Sequence, residues 1–198
     1  HPTSGRVHYG DTELTRLDDR EMRRMRRELQ LIFQDPYASL NPQLTAGRAI
    51  TEAMRVHGIG SNGADRRDRA VRLLEQVGME ATHADRYPHQ FSGGQRQRVV
   101  IARALAVEPR LIVCDESIAA LDVSIQAQVL NLLNDLKDEH GLTYLFISHD
   151  LNVVRYMCDR ILVLEQGRLV ELGPADEVCD HPKASYTKRL LQAIPGSH

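Results

Sequence analysis

The pattern of apolar and polar positions predicts alternating strands and helices in the second half of the chain. Short apolar runs at 111–115 and 143–148 have the length and composition of buried strands. Between them, residues 123–139 place their apolar side chains on one helical face, and Gly141 is a typical helix-ending residue. A crossover of this length between two strands predicts that the strands are parallel.

The first half of the chain predicts a different organisation. Strands are expected at 6–10 and 29–34, and a helix with a capping box begins near Asp18 between them. Residues 45–90 predict helices, which a flexible glycine-containing connection at 58–63 separates. This arrangement favours a helical subdomain inserted between two parts of a larger unit.

Three further elements and one break follow from the same reasoning. Helices are expected at 92–107, before Pro109, and at 151–157, behind a capping Asp150. A hairpin is expected at 161–171 around Glu165-Gln166-Gly167, whereas the two prolines within 35–42 predict a break in regular structure.

Composition narrows the class of protein. The 198 residues are 42% hydrophobic and 26% charged, as in a globular protein, and no stretch has the length of a membrane span. A net charge of −2 gives no electrostatic sign of a nucleic-acid partner. The three cysteines form no CxxC pair, which is typical of a reduced cytosolic protein, and the first residues do not resemble a secretion signal.

Polar residues follow both predicted buried strands. Asp115 and Glu116 end one strand, and Ser148, His149 and Asp150 follow the other. In an open parallel sheet, ligands bind at the carboxyl ends of the strands. Four apolar residues followed by two acids form the pattern of a Mg²⁺-binding acid at a nucleotide site. Because acids end many strands, an ordinary strand end is the alternative.

A second candidate site lies at residues 91–98. Ser92 and Gln95 have capping-box spacing, and Gly93 and Gly94 between them let the backbone approach a ligand closely. A helix N-terminus with free N–H groups is a ready site for phosphate. The alternative is a merely well-capped helix, but capping alone does not require two glycines.

Residues 91–98 resemble the signature motif of ABC-type ATPases. Further motifs of that family follow in its order and at sensible spacing. They are Gln34 of the Q-loop, Leu111–Glu116 of the Walker B strand, Ala119–Asp122 of the D-loop and the switch histidine His149. The resemblance implies an α/β fold with a P-loop NTPase-like (RecA-like) parallel sheet core and an inserted helical subdomain.

The resemblance also implies a domain organisation and a branch of the family. Residues 1–34 and 97–172 would form the ATPase core, 35–96 the helical subdomain with the signature motif, and 173–198 the C-terminal tail. Segments at 33–42, 87–91 and 186–195 are similar to the importers of dipeptides and oligopeptides. These segments are Phe33–Pro42, Tyr87–Phe91 and Tyr186–Pro195.

The family's roles map onto single residues of this chain. Asp115 would hold Mg²⁺, and Glu116 would orient and deprotonate the attacking water. Gln34 would sense the metal and the water and link the site to the transmembrane partner. His149 would contact the γ-phosphate and stabilise charge there. The γ-phosphate bound by an opposite subunit would meet the signature turn, and Asp122 would lie at that dimer interface. The residues of the signature turn are Ser92, Gly93, Gly94 and Gln95.

The implied function is ATP hydrolysis that powers peptide import. Such a subunit would be peripheral to the cytoplasmic face of the cell membrane, docked on integral membrane permease subunits through residues of about 35–60. Its partners would be a second ATPase subunit, identical or different, and indirectly an extracytoplasmic solute-binding protein. Two alternatives remain: a soluble ABC ATPase of DNA repair or translation, and a non-hydrolysing remnant that only docks or dimerises.

One motif of the family, the Walker A strand, loop and helix, is absent. Its phosphate loop needs a lysine after a glycine, whereas the residues before the three lysines are Leu136, Pro182 and Thr187. The simplest interpretation is N-terminal truncation, and a degenerate homologue is the alternative.

Smaller departures from the family pattern are single residues. Ser117 stands where the family commonly has proline, Ala119 where it has serine, and Ala184-Ser185 where it has His-Pro. The first two put a full hydrolysis rate in doubt.

The 198-residue chain assayed by itself is therefore predicted not to hydrolyse ATP at a meaningful rate, because no lysine-containing loop holds the phosphates. Release of inorganic phosphate from ATP measures this directly. Steady turnover by the isolated chain would contradict the prediction.

Overall fold

The computed structural model of the protein describes residues 2–193. The expectations that involve His1, Ile194 and Pro195 therefore lie outside the described residues. The strands are β1 (His8–Tyr9), β2 (Thr12–Glu13), β3 (Leu29–Ile32), β4 (Leu111–Asp115), β5 (Thr143–Ile147), β6 (Arg160–Glu165) and β7 (Arg168–Pro174). The helices are α1 (Asp19–Glu28), α2 (Pro36–Ser39), α3 (Ala46–Val56), α4 (Gly63–Gln76), α5 (Gly93–Leu105), α6 (Val123–His140), α7 (Leu151–Met157), α8 (Ala175–Asp180) and α9 (Ser185–Gln192). Short 3₁₀ helices occupy Leu14–Arg16, Ala81–Asp85 and Pro88–Gln90.

The centre of the fold is a parallel sheet in the order β3-β4-β5. Leu31 pairs with Val113, and Val113 pairs with Leu145, so the three strands run in register toward one edge. The crossover from β4 to β5 passes through α6, which ends at Gly141 in the left-handed conformation that glycine tolerates best. The predicted parallel pair and its helical crossover are confirmed.

One face of the sheet packs against α5 and α6. Ile32, Cys114 and Phe146 point to this face and are buried with Leu133 in the main hydrophobic core. The Tyr144 hydroxyl donates a hydrogen bond of 3.0 Å to the Leu133 carbonyl, which satisfies a polar group at the edge of that core.

The other face of the sheet carries apolar side chains that remain accessible. Leu31, Leu145 and Ile147 are 40%, 53% and 46% exposed. The expectation that β5 is a buried strand is therefore wrong for the described residues, because only Phe146 within it is buried. The apolar run correctly predicted the strand, but it could not report which of its two faces is covered.

The helices between β3 and α5 form a compact layer. Thr45 caps α3 and Asn62 caps α4, each by accepting a hydrogen bond from a backbone N–H three residues later. Ile50, Met54 and Leu74 are buried where α3 and α4 meet α5. The predicted helices of this region are confirmed, although the region also contains two 3₁₀ helices.

Several element boundaries differ from the prediction. The strand expected at 6–10 is only His8–Tyr9, paired with Thr12–Glu13, and β3 stops at Ile32. The segment expected to be irregular contains α2, because Asp35 caps it and Pro36 occupies its first turn. Proline at that position favours a helix start, whereas a proline later in a helix breaks it.

The C-terminal part forms a second, smaller core. The β6–β7 hairpin turns at Gln166 and Gly167, both with positive φ, as in the two-residue turns that match the twist of a hairpin. Val163 and Val178 are buried between this hairpin and α8. Arg155 of α7 donates to Asp176 and Asp180 of α8, which joins the two helices.

None of the helices within residues 2–193 is long and apolar enough to cross a membrane.

Substituting Leu133 tests the packing of α6 on the sheet. Leu133 is 1% exposed, so Leu133→Ala is expected to lower the free energy of unfolding by about 2–5 kcal/mol. Val123→Ala in the same helix is the control, because Val123 is 82% exposed and its loss should cost at most about 0.5 kcal/mol. Urea denaturation of both variants measures the difference, and equal effects would contradict this packing.

Candidate functional site

The end of β4 positions the two predicted acids differently. Asp115 is the last residue of the strand, and Glu116 follows with a φ of 44°. The Glu116 N–H donates to the Ile147 carbonyl at 3.0 Å, which ties the turn to the end of β5. A left-handed conformation at a glutamate is strained, and strained residues of this kind cluster at functional sites.

Glu116 and His149 are in direct contact. The His149 Nδ1 lies 3.2 Å from a Glu116 carboxylate oxygen, across the ends of β4 and β5. The His149 side chain is 75% exposed and that of Glu116 is 34% exposed, so both can be reached by a ligand. A base oriented by a second polar group is the arrangement that proton transfer to or from water requires.

Gln34 lies at the same edge of the sheet. It is exposed and follows β3 by two residues, while β3 pairs with β4 in parallel. The structure therefore brings Gln34, Asp115 and His149 to the carboxyl ends of three adjacent strands. Among residues 2–193, neither the Gln34 amide nor the Asp115 carboxylate has a side-chain hydrogen bond or ion pair.

The oxygen atoms at this edge fit a magnesium ion that takes only one or two of its ligands from the protein. Asp115 and Gln34 offer a carboxylate and an amide oxygen, the ligand types that Mg²⁺ prefers. The described part of the chain contains no group of three or more His, Cys, Asp or Glu side chains able to hold a metal. Such an edge suits an ion whose remaining ligands come from water and phosphate rather than from a protein cage.

The thiol next to this edge is chemically silent. Cys114 is fully buried, and burial raises its pKa to about 12. The thiol is therefore protonated at neutral pH and supplies neither a nucleophile nor a metal ligand.

The start of α5 has the predicted capping box. The Ser92 Oγ accepts from the Gln95 N–H at 3.3 Å, and the Gln95 Oε1 accepts from the Ser92 N–H at 3.0 Å. Each side chain therefore satisfies the backbone N–H of the other residue, and the N–H groups of Gly93 and Gly94 have no intrahelical acceptor. These two N–H groups, at the positive end of the helix dipole, suit an anion.

The signature turn also packs against the segment after Glu116. A Cβ at Gly94 would lie 2.5 Å from Ile125 Cγ2, and one at Gly93 would lie 3.5 Å from Leu121 Cδ2. Gly94 is therefore required by packing as well as by any ligand. Sequence reasoning missed Ile125, and no local signal could have found it because Ile125 is 31 positions further along the chain.

The segment from Glu116 to Asp122 connects the two halves of the site. The Ala119 N–H donates to the Glu116 carbonyl and the Leu121 N–H donates to the Ile118 carbonyl, which forms consecutive tight turns. Asp122 then begins α6 without a side-chain capping bond, and it is exposed. The predicted D-loop residue is thus accessible, and the loop joins the acid pair to the signature turn.

This fold and site define a nucleotide-binding cassette: a P-loop NTPase-like α/β sheet with acids at its carboxyl edge and a glycine turn at a helix N-terminus. The family model described as ABC transporter matches residues 1–119, more than half of the chain. The chain therefore belongs to the ABC transporter family.

Two relatives illustrate this relationship. The oligopeptide transport ATP-binding protein OppF of Bacillus subtilis (strain 168) is 53% identical over 98% of this chain and 64% of its own. A putative peptide import ATP-binding protein of Brucella ovis is 52% identical over 98% of this chain and 61% of its own. The chain thus spans less than two thirds of the length of these relatives.

A solved structure gives the same relationship in three dimensions. The dimeric ATP-binding cassette MJ0796, in a post-hydrolysis state bound to ADP and Pi, has a TM-score of 0.75 and 34% sequence identity. The match covers 88% of this chain and 75% of that one. The predicted fold class and family are therefore confirmed, whereas the roles of the individual site residues remain predictions.

Replacing Gly94 tests the packing of the signature turn. Gly94→Ala is expected to destabilise the fold by about 1–3 kcal/mol, because the added methyl group overlaps Ile125. Gly63→Ala is the matched control, because Gly63 also lies in a first helical turn and has nothing within 4 Å of a new Cβ. This substitution should stabilise the fold slightly.

The double variant Gly94→Ala/Ile125→Ala should recover part of the stability that Gly94→Ala loses. Thermal denaturation measures this recovery. Equal stability of the two glycine variants would show that the contact with Ile125 does not constrain Gly94.

Proposed function

We propose that this chain provides most of the ATP-hydrolysing subunit of a peptide importer. The observation that carries the proposal is the contact of Glu116 with His149 beside Asp115, at the edge where three parallel strands end. The 53% identity with an oligopeptide transport ATP-binding protein supports peptides as the transported class. The transported solute itself is selected by other subunits in this proposal.

In the proposed reaction, this chain's residues orient a water molecule and move its proton. Glu116 accepts the proton from the water, while His149 holds the Glu116 carboxylate through the 3.2 Å contact and faces the γ-phosphate. Asp115 and Gln34 would hold Mg²⁺, which would supply charge neutralisation at the phosphates of ATP. Each of these groups is accessible, as a nucleotide site at the surface of one subunit requires.

The signature turn serves a second subunit in this proposal. The exposed Ser92 and the free N–H groups of Gly93 and Gly94 would bind the γ-phosphate held by the partner, with Gln95 keeping Ser92 in place. Asp122 lies at the same interface. Two such subunits, identical or different, enclose ATP between them, and hydrolysis lets them separate.

The proposed domain organisation assigns the strands and the helical layer to separate tasks. Residues 1–34 and 97–172 form the ATPase core, 35–96 form the helical subdomain, and 173–198 form the tail. Residues of about 35–60 meet integral membrane permease subunits at the cytoplasmic face of the membrane. Support comes from Val56, which is 53% exposed in this region. An extracytoplasmic solute-binding protein takes part only through the permease.

Removing the proposed base tests the reaction. In the gene product expressed from its full reading frame, Glu116→Gln is expected to bind ATP but to lower kcat by about 10²–10⁴-fold, because the amide accepts no proton from water. Glu139→Gln is the control, since Glu139 is an exposed acid at the end of α6, away from the carboxyl edge.

Phosphate release measures kcat, and equilibrium binding of a fluorescent ATP analogue measures affinity. An unchanged kcat for Glu116→Gln would mean that another group is the base. A loss of ATP binding in the same variant would mean that Glu116 acts in binding instead.

A further inference from the structure

The helix that begins at the signature turn is fastened to the short helix that follows Gln34. Arg96 and Arg103 are seven residues apart in α5, so both point to the same side of the helix, about two turns apart. The Arg96 guanidinium lies over the Tyr37 ring, with its central carbon 3.6 Å from the ring centroid. Arg103 Nη1 donates a hydrogen bond to the Ser39 carbonyl. We call these two contacts the α2–α5 clamp.

The clamp holds both ends of a locally rigid element. Asp35 accepts a hydrogen bond from the Tyr37 N–H at 2.7 Å, and the Ser39 Oγ donates to the Asp35 carbonyl at 2.8 Å. Pro36 and Leu40 on either side of Tyr37 and Ser39 are buried. The four residues of α2 are therefore held together as one unit, which begins two residues after Gln34.

The arginines of the clamp have no acidic partner within residues 2–193. Arg96 is 5% exposed, its Nε donates to the Pro88 carbonyl at 2.6 Å, and its Nη1 finds no acceptor among the described residues. Burying a charge is costly unless neighbouring groups compensate it. The face of the Tyr37 ring supplies part of that compensation, so the charge resists separation of α2 from α5.

Arg96 also connects directly to the signature turn. The Arg96 backbone N–H donates to the Ser92 carbonyl at 2.9 Å. Arg96, which contacts the Tyr37 ring, therefore also forms the first intrahelical hydrogen bond after the cap. Tyr37 is 63% exposed and can be reached by a partner protein, whereas Arg96 behind it cannot. A displacement of α2 would therefore reach Ser92 through two contacts.

We propose that Arg96, Arg103 and Tyr37 are positioning residues that make α2 and the signature turn move together. This inference rests on the proposed function, because it assigns to the clamp the transmission of a permease-induced displacement of the Gln34 segment. The clamp takes no part in the chemistry at Glu116.

Tyr37 offers the sharper test, because its ring and its hydroxyl can be separated. The gene product from the full reading frame is assayed for ATP hydrolysis alone and in proteoliposomes with its permease subunits. Tyr37→Ala should keep basal hydrolysis within about twofold while stimulation by the permease falls about tenfold. Tyr37→Phe keeps the ring over Arg96 and should match the unsubstituted protein in both assays.

Arg103→Met provides a second, independent arm. It removes the donor to the Ser39 carbonyl and leaves the Tyr37 contact, so it should lower stimulation and preserve basal hydrolysis. Thermal denaturation of each variant shows that it is folded.

Three results would overturn the inference. Full stimulation in Tyr37→Ala and Arg103→Met would show that the clamp transmits nothing, and a proportional loss of basal and stimulated rates would show a merely structural role. If the unsubstituted protein hydrolyses ATP but no permease stimulates it, the proposed function fails and the inference fails with it. The first two results leave the proposed function intact.

Discussion

The parallel pairing of β3, β4 and β5 is the constraint on which the rest of the site depends. Because the three strands share one direction and register, the residues that follow them all emerge at one edge. Gln34, Asp115 and His149 are far apart in sequence but become neighbours there. The crossover through α6 enforces this direction, since a tight hairpin between β4 and β5 would reverse the second strand.

The turn after Asp115 converts this edge into a connected site. Glu116 adopts a strained conformation that a hydrogen bond to the end of β5 maintains, and in this position its carboxylate meets His149. The chain then turns twice and reaches Ile125, whose side chain lies against Gly94. The acid pair and the signature turn are therefore linked through one short segment rather than through the whole core.

Much of this architecture could be predicted from local patterns. The capping boxes at Asp18 and Ser92 and a helix over 123–139 follow from spacing alone. The structure contains all three, with the helix extending one residue further, to His140. Contacts between distant residues could not be predicted in the same way. Ile125 against Gly94 and Arg96 under Tyr37 depend on packing between elements, for which a single sequence carries no periodic signal.

The accessible sheet face shows the same limit. An apolar run predicts a strand, but the 53% exposure of Leu145 depends on which neighbours cover each face.

In the proposed assembly, ATP is enclosed between two subunits by the edge at Glu116 of one and the turn at Ser92 of the other. The decisive measurement is the association state of the Glu116→Gln gene product, expressed from its full reading frame. Sedimentation velocity determines this state with and without ATP and Mg²⁺. We expect a monomer without nucleotide and a dimer with ATP, and Gly94→Ala in the same background should weaken that dimer. A species that stays monomeric with saturating ATP would contradict this assembly.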